Sequence, residues 1–67
     1  MLTMCDRLRQ TRRDRGLTQM DLAVLAGVTR PMINRYERGR AEPKLVTLRK
    51  LGDALKVSVG FLITGRE

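Results

Sequence analysis

Turn-forming residues recur at short, nearly even intervals along this chain, and they limit each segment between them to a few helical turns. They fall at Gly16, at Gly27, between Gly39 and Pro43, and between Lys56 and Ser58. None of the five segments that they separate shows a sustained period-two alternation, and apolar residues three or four positions apart favour helix. The sequence therefore predicts a compact all-α domain of five short helices.

Residues preferred at helix ends bound most of these segments. Asp21, three residues after Thr18, forms a capping box with the shorter acid. The fourth segment lacks a Ser or Thr cap at Lys44, and it ends at Lys56, where glycine would adopt the required backbone more easily. The predicted segments are about 3–15, 18–26, 29–39, the leucine-rich stretch after 43, and 58–64.

Length and residue types restrict how the chain can be stabilised. A chain of 67 residues forms one small domain, 1–67, with a marginal core. The single cysteine, Cys5, excludes an internal disulfide, and without histidine neither a zinc site nor a general base for Cys5 is expected. We therefore expect no enzyme activity, no metal and no cofactor. Stability must come from close helix packing, a second subunit, or both.

Basic residues outnumber acidic ones by 14 to 7, which gives a net charge of +7. This excess favours a polyanionic partner, nucleic acid first and an anionic membrane surface second. Membrane binding needs a broad apolar face free of other contacts, whereas the leucines here are needed for the core. The chain has no membrane-length apolar run and no signal-peptide pattern, so we expect a soluble, cytoplasmic protein. We expect neither a membrane partner nor a small-molecule ligand.

The residues from 19 to 38 have the spacing of two helices that meet near a right angle after a short turn. Gly27 tolerates the positive φ that such a corner requires. Ala23, four residues earlier, is small enough for close helix contact. Ile33, six residues later, supplies an apolar side chain that packs between the two helices.

The stretch GLTQMDLAVLAGVTRPMINRYERGRAEP, residues 16–43, matches one family at many fixed spacings. It resembles the phage-repressor-like (Cro-type, xenobiotic-response-element) helix-turn-helix family, with the motif at about 18–38, and the resemblance extends from about residue 6 to 63. Positions that carry it are Leu22, Ala23, Gly27, Val28, Ile33, Glu37 and Gly39. It implies a lambda-repressor-like fold, an operator DNA partner and a prokaryotic or phage-type transcriptional regulator. A repressor or autoregulator is favoured over an activator.

A helical projection of the third segment separates a polar face from an apolar one. The apolar face contains Met32, Ile33 and Tyr36. The polar face contains Arg30, Pro31, Asn34, Arg35 and Arg38. Arginine matches the two acceptors of guanine in the major groove, and asparagine matches adenine. An ordinary solvated helix face has the same pattern, and it is the surrounding motif that favours DNA.

The resemblance assigns roles to individual residues. Bases are contacted from the start of the third helix and one turn later, here by Arg30, Pro31 and Arg35, with Asn34 as a further candidate. Pro31 has no side-chain donor, so its readout is limited to shape or a thymine methyl. Candidates for phosphate contacts are Thr18, Gln19, Thr29, Arg38 and Arg40. Gln19 begins the second helix, where free N–H groups favour an anion.

The family also pairs an arginine late in the first helix with a glutamate late in the third, here Arg12 and Glu37. A bidentate, partly buried pair would orient the two helices, although desolvation offsets much of its contribution to stability. Arg9 and Arg13, one turn apart, either add to the positive field or only face solvent. Thr11 stands where the family usually has a large aliphatic residue.

The last segment contains more apolar residues than one helix face can hold. We expect Leu62 in the core, while Val59, Phe61 and Ile63 either complete the core of the monomer or contact a second subunit. The resemblance favours a homodimer. Its twofold symmetry would place the two reading helices about 34 Å apart on a near-palindromic operator.

Val24 and Leu25 are apolar where the family tends to carry polar, exposed residues. They leave open an alternative function, in which the fold is a protein-interaction module such as the antitoxin of a toxin pair. These two residues would then lie in the contact.

Pro31 lies unusually close to the start of the arginine-rich helix. If Thr29 is the N-cap, the proline falls in the first turn, where its missing N–H has no helical partner to lose. A residue before proline disfavours the helical backbone, so we expect Arg30 to sit half outside the helix.

Overall fold

The computed structural model describes residues 2–66, which contain five α-helices. They are α1 (Met4–Asp14), α2 (Gln19–Ala26), α3 (Arg30–Glu37), α4 (Leu45–Leu55) and α5 (Val59–Thr64). Within these residues there is no strand, which confirms the prediction of an all-α fold. None of the helices between residues 2 and 66 has the length and apolar character needed to cross a bilayer.

Capping boxes close the N-termini of α1 and α2. The Asp21 N–H donates to the Thr18 hydroxyl at 3.0 Å, and the Thr18 N–H donates to the Asp21 carboxylate at 2.9 Å. Thr3 and Asp6 form the same arrangement at the start of α1. These backbone donors lower the pKa of both carboxyls below the ordinary value of 3.8. The caps therefore stabilise the protein fully above that value, and the contribution is lost as the pH falls through the lowered pKa.

Every helix contributes apolar side chains to one core. The buried apolar residues are Leu8, Leu22, Ala23, Ala26, Ile33, Tyr36, Leu48, Leu51, Leu55 and Leu62. Leu62 is fully buried, as we expected. Thr11 is also buried, and Met4 packs on the edge of the core. Each fully buried leucine contributes roughly 1.5–3 kcal/mol, so a domain of this size depends on nearly all of them.

The corner between α2 and α3 depends on Gly27, whose φ is +70°, a conformation that other residues adopt only with strain. The Val28 N–H donates to the Ala23 carbonyl at 3.0 Å and closes the turn. Ala23 and Ile33 are both buried, as close approach of the two helices requires. α3 packs on α1 and α2, and most residues on its other face are exposed.

The two ends of α4 are less favourable than those of α1 and α2. Lys44 supplies no side-chain hydrogen bond to the N-terminus. At the other end Lys56 adopts φ +60°, which costs a residue with a side chain about 1–2 kcal/mol. The following turn is tight, because a Cβ on Gly52 would come within 2.8 Å of the Val57 carbonyl oxygen.

Candidate nucleic-acid interface

Thr29 and Pro31 together define the start of α3. The Met32 N–H donates to the Thr29 hydroxyl at 3.3 Å, and the proline lies in the first turn, where its missing N–H is not needed. The expectation that Arg30 would sit half outside the helix is wrong, because Arg30 is the first helical residue. The threonine cap and the proline in the first turn outweigh the steric preference of the residue before proline.

The two faces of α3 differ in burial much as the helical projection predicted. Ile33 and Tyr36 are buried in the core. Met32 is the exception: it is 39% exposed, so its assignment to the buried face is wrong. One helical step of about 100° separates it from Ile33, which places it at the margin of the apolar arc. The exposed members of the polar face are Arg30, Pro31, Arg35 and Arg38, while Asn34 is half-buried.

Four exposed arginines on α3 and the turn after it form what we call the arginine row: Arg30, Arg35, Arg38 and Arg40. Within residues 2–66, no hydrogen bond or ion pair involves any of these four side chains. A guanidinium group carries five N–H donors and no acceptor. The row therefore offers its donors and its charge to acceptors on another molecule.

Further donors lie at the starts of α2 and α3. Thr18 and Thr29 each accept a backbone hydrogen bond through the hydroxyl oxygen. The Thr29 O–H remains available to donate, whereas the Thr18 hydroxyl also interacts with the Asp21 carboxylate. Gln19 is the first residue of α2 and is half-buried. Helix starts favour anions because their first N–H groups have no partner within the helix.

Arg12 of α1 and Glu37 of α3 form a bidentate pair inside the protein. Arg12 Nε lies 2.6 Å from Glu37 Oε2, and Arg12 Nη2 lies 3.0 Å from Glu37 Oε1. The two side chains are 10% and 2% exposed. A third donor of Arg12, Nη1, reaches the Leu17 carbonyl at 2.8 Å. The pair therefore joins α1, the turn before α2, and the end of α3.

Gln19 and Asn34 extend this ion pair toward the surface. Gln19 Nε2 donates to Glu37 Oε1 at 3.2 Å, and Asn34 Nδ2 donates to Gln19 Oε1 at 3.5 Å. The sequence indicated Gln19 as a phosphate contact and Asn34 as a base contact, without indicating that the two interact. The spacing of Asn34 and Glu37, three residues apart on one helix, was the available signal that they share a face.

Two other arginines near the first helix, Arg7 on α1 and Arg15 directly after it, donate to the main chain, whereas Arg13 is exposed. Arg7 donates to the carbonyls of Leu62 at 3.0 Å and of Ile63, both in the last turn of α5. Arg15 Nε donates to the Leu55 carbonyl at 3.0 Å, at the end of α4. Carbonyls in a last helical turn lack partners within the helix and favour a cation. Sequence reasoning missed both contacts. Arg9, a possible contributor to the field, pairs with Asp6 at 3.1 Å.

The candidate dimer residues differ in exposure. Val59 and Phe61 are half-buried and pack against the core, whereas Ile63 is 47% exposed. Val24 and Leu25, on α2, are 73% and 60% exposed, in agreement with the surplus apolar surface expected there.

The buried contact between α2 and α3, at Ala23 and Ile33, and the exposed arginine-bearing face of α3 define a helix-turn-helix domain with the lambda-repressor-like fold. The helix-turn-helix family matches residues 8–62, and the chain belongs to that family.

Named relatives and solved structures agree with this assignment. The chain is 43% identical over 60 residues to YonR, an uncharacterized prophage-derived HTH-type transcriptional regulator of Bacillus subtilis, covering 90% of this chain and 56% of the relative. It is similar to the P22 c2 repressor in complex with a synthetic operator, with a TM-score of 0.93, 30% identity, and coverage of 98% of this chain and 100% of that one. For the restriction-modification controller protein C.AhdI of Aeromonas hydrophila, the TM-score is 0.87 at 37% identity, covering 90% of this chain and 91% of that one. This chain spans about half the length of the curated relatives it matches.

Proposed function

We propose that this chain binds double-stranded operator DNA sequence-specifically and regulates transcription, as a repressor or autoregulator. The observation that carries the proposal is the arginine row, which has no partner within residues 2–66. It lies on α3, whose other face packs into the core, and on the turn after α3. The relatives, named as transcriptional regulators and repressors, support it and do not favour the antitoxin alternative. Their family is one of DNA-binding regulators rather than of enzymes.

The first turns of α3 supply the base contacts in this proposal. Arg30 and Arg35 are exposed and have no competing acceptor within residues 2–66, so each can donate two parallel hydrogen bonds to O6 and N7 of a guanine. Asn34 matches the donor and acceptor of adenine. Pro31 presents only apolar surface, which suits a thymine methyl group.

Phosphate contacts flank the reading helix. We assign them to the helix starts and to the end of the arginine row, at Thr18, Gln19, Thr29, Arg38 and Arg40. Such contacts fix the register and orientation of the protein on the duplex without reading its sequence. Each arginine that neutralises a phosphate also releases counterions, so binding should weaken steeply with salt.

A homodimer on a near-palindromic operator completes the proposal. The exposed Ile63 supplies the subunit contact, together with the half-buried Val59 and Phe61 of the same helix. Twofold symmetry through this contact presents two copies of α3 about 34 Å apart, so that each reads one half-site. Such a regulator acts where the DNA lies, in the cytoplasm of a prokaryotic cell.

Selection of bound sites from random duplex DNA tests this function, with the mass of the protein measured on and off DNA. We expect a near-palindromic consensus and two chains per site. Arg35→Ala should lose the preference at particular base pairs. Arg49→Ala removes the same charge from an exposed position of α4 outside the proposed interface, and it should keep the consensus. Recovery of unrelated sequences by the unmodified protein would contradict specific DNA binding.

A further inference from the structure

The hydrogen bonds that lead from Glu37 to Asn34 have a fixed direction. Glu37 is buried at 2% exposure and is the anionic partner of Arg12. An ionised carboxylate has only acceptor positions. Oε1 already accepts from Arg12 Nη2 at 3.0 Å, so any further neighbour must approach it with a donor.

That neighbour is Gln19, and the Glu37 carboxylate determines the orientation of the Gln19 side-chain amide. The Nε2 group faces Glu37 Oε1 at 3.2 Å. With the opposite orientation, two oxygens would face each other beside a buried charge, and an acceptor without a donor is costly there. Gln19 therefore directs Oε1 toward α3.

The same constraint applies to Asn34, because Gln19 Oε1 requires a donor. Its Nδ2 group lies 3.5 Å from Gln19 Oε1, and the carbonyl oxygen Oδ1 occupies the other side of the planar amide. Asn34 is half-buried on the polar face of α3, between Arg30 and Arg38, which stand four residues before and after it. The accessible part of the amide thus carries Oδ1 together with the second N–H of Nδ2.

We propose that the Glu37 carboxylate, acting through Gln19, fixes the amide orientation of Asn34 so that Asn34 selects a base carrying an exocyclic amino group, adenine first. This rests on the proposed DNA-binding function and adds a rule for one base position. Glu37 and Gln19 are positioning residues for this contact, and Asn34 is the residue that touches the base.

The orientation matters because adenine and guanine differ at one edge position in the major groove. Adenine presents the N6 amino donor beside the N7 acceptor, and an amide with an outward oxygen and an outward N–H matches both. Guanine presents two acceptors, O6 and N7, so the Asn34 oxygen would face O6 without a hydrogen atom between them. A freely rotating amide could turn its NH₂ group to guanine, whereas an amide held by Gln19 cannot do so without losing its hydrogen bond.

The test compares base preference in Gln19→Met, Asn34→Ala and the double variant. Methionine keeps the length of the side chain and removes the hydrogen bonds on both sides of Gln19. Competition between operators that differ at a single base pair, chosen as the pair at which Asn34→Ala alters the preference, gives the ratio of affinities for adenine over guanine. Any loss of a phosphate contact by Gln19→Met lowers both affinities equally and cancels in this ratio.

We expect Gln19→Met to lower the adenine-over-guanine ratio about 2- to 10-fold, the effect of one neutral hydrogen bond. The double variant should show the same ratio as Asn34→Ala alone, and the preference read by Arg35 should persist. In the free protein, the Asn34 side-chain amide protons should exchange faster with water in Gln19→Met. That measurement requires no DNA.

Two results would overturn the inference while leaving the proposed function intact. One is a sequence-specific protein in which Gln19→Met weakens all operators equally and leaves the ratio unchanged. The other is a protein in which Asn34→Ala changes no base preference at all. Failure of the unmodified protein to select any consensus would instead overturn the DNA-binding proposal, and this inference with it.

Discussion

Arginines are dense on both α1 and the stretch from α3 to its following turn, but their side chains end in different surroundings. On α1, Arg7 donates to a carbonyl at the end of α5 and Arg12 donates to Glu37, whereas Arg13 is exposed. Arg15, directly after α1, donates to a carbonyl at the end of α4. The arginine row contacts no acceptor within residues 2–66. A net charge of +7 therefore overstates the surface that can attract DNA, because several arginines hold helices together. The two groups differ in whether each guanidinium has an acceptor in the described part of the chain. Replacing an arginine by methionine should therefore lower stability in the first group and alter DNA recognition in the arginine row.

The largest difference should appear between Arg12→Met and Arg35→Met. Loss of Arg12 leaves the Glu37 carboxylate buried without its cation, and we expect the free energy of unfolding to fall by about 3–5 kcal/mol. Arg35→Met changes an exposed side chain and should remain within about 0.5 kcal/mol of the unmodified protein. Urea unfolding of both variants measures the difference. Equal stabilities would remove the distinction between the two groups of arginines.

The second prediction concerns DNA recognition, in which Arg35 rather than Arg12 should show the direct effect. Arg35→Met should reduce discrimination at particular base pairs by about 1–3 kcal/mol, because a bidentate contact to guanine is lost. Binding to a panel of single-base operator variants measures this effect. A uniform loss over all operators would show that Arg35 contacts only phosphate or adds to the field.

Arg7→Met should have an intermediate effect on stability. We expect a loss of about 1–2 kcal/mol, since two carbonyls in the last turn of α5 lose a charged donor. Arg9→Met is the matched control on the same helix, and its solvent-screened pair with Asp6 should contribute less than the contacts of Arg7. Thermal unfolding of the two variants compares them. A larger effect at Arg9 than at Arg7 would contradict the role given to the α5 carbonyls.

The smallest effect should be the change in salt dependence on removing Arg40. Arg40→Met is expected to reduce the slope of log K against log salt by about 1, since one phosphate contact is lost. Arg9→Met removes the same charge from α1 and should leave the slope unchanged. If both variants flatten the slope equally, the α1 arginines also contribute to DNA binding and the comparison weakens.

The helices were predictable because their signals are local. Thr18 and Thr29 mark helix starts with residues that satisfy free N–H groups within one turn, and Gly27 marks the corner by a backbone conformation. The position of Arg30 was predicted incorrectly because two local preferences conflict there. A residue before proline disfavours the helical backbone, whereas the Thr29 cap and a proline in the first turn favour a helix start, and the sequence does not give their relative strengths.

Contacts between distant segments were predictable only when both partners carry distinctive side chains. The resemblance brought Arg12 and Glu37 together because both are charged residues at fixed places in a family pattern. The partners of Arg7 and Arg15 are main-chain carbonyls, which every residue possesses, so nothing in the sequence singles them out. The link from Gln19 to Asn34 depends on how closely α2 approaches α3, a distance that the pattern does not contain.

Pro31 has a further consequence for the motion of the reading helix. The pyrrolidine ring fixes φ near its helical value in the first turn of α3. It thereby narrows the conformations open to the unfolded chain, an effect that stabilises a compatible site by about 0.4–1 kcal/mol. First turns otherwise fray readily, and Arg30 sits in this one. In the proposed complex, a first turn of α3 that is ordered before binding loses less conformational entropy when the helix enters the major groove of DNA.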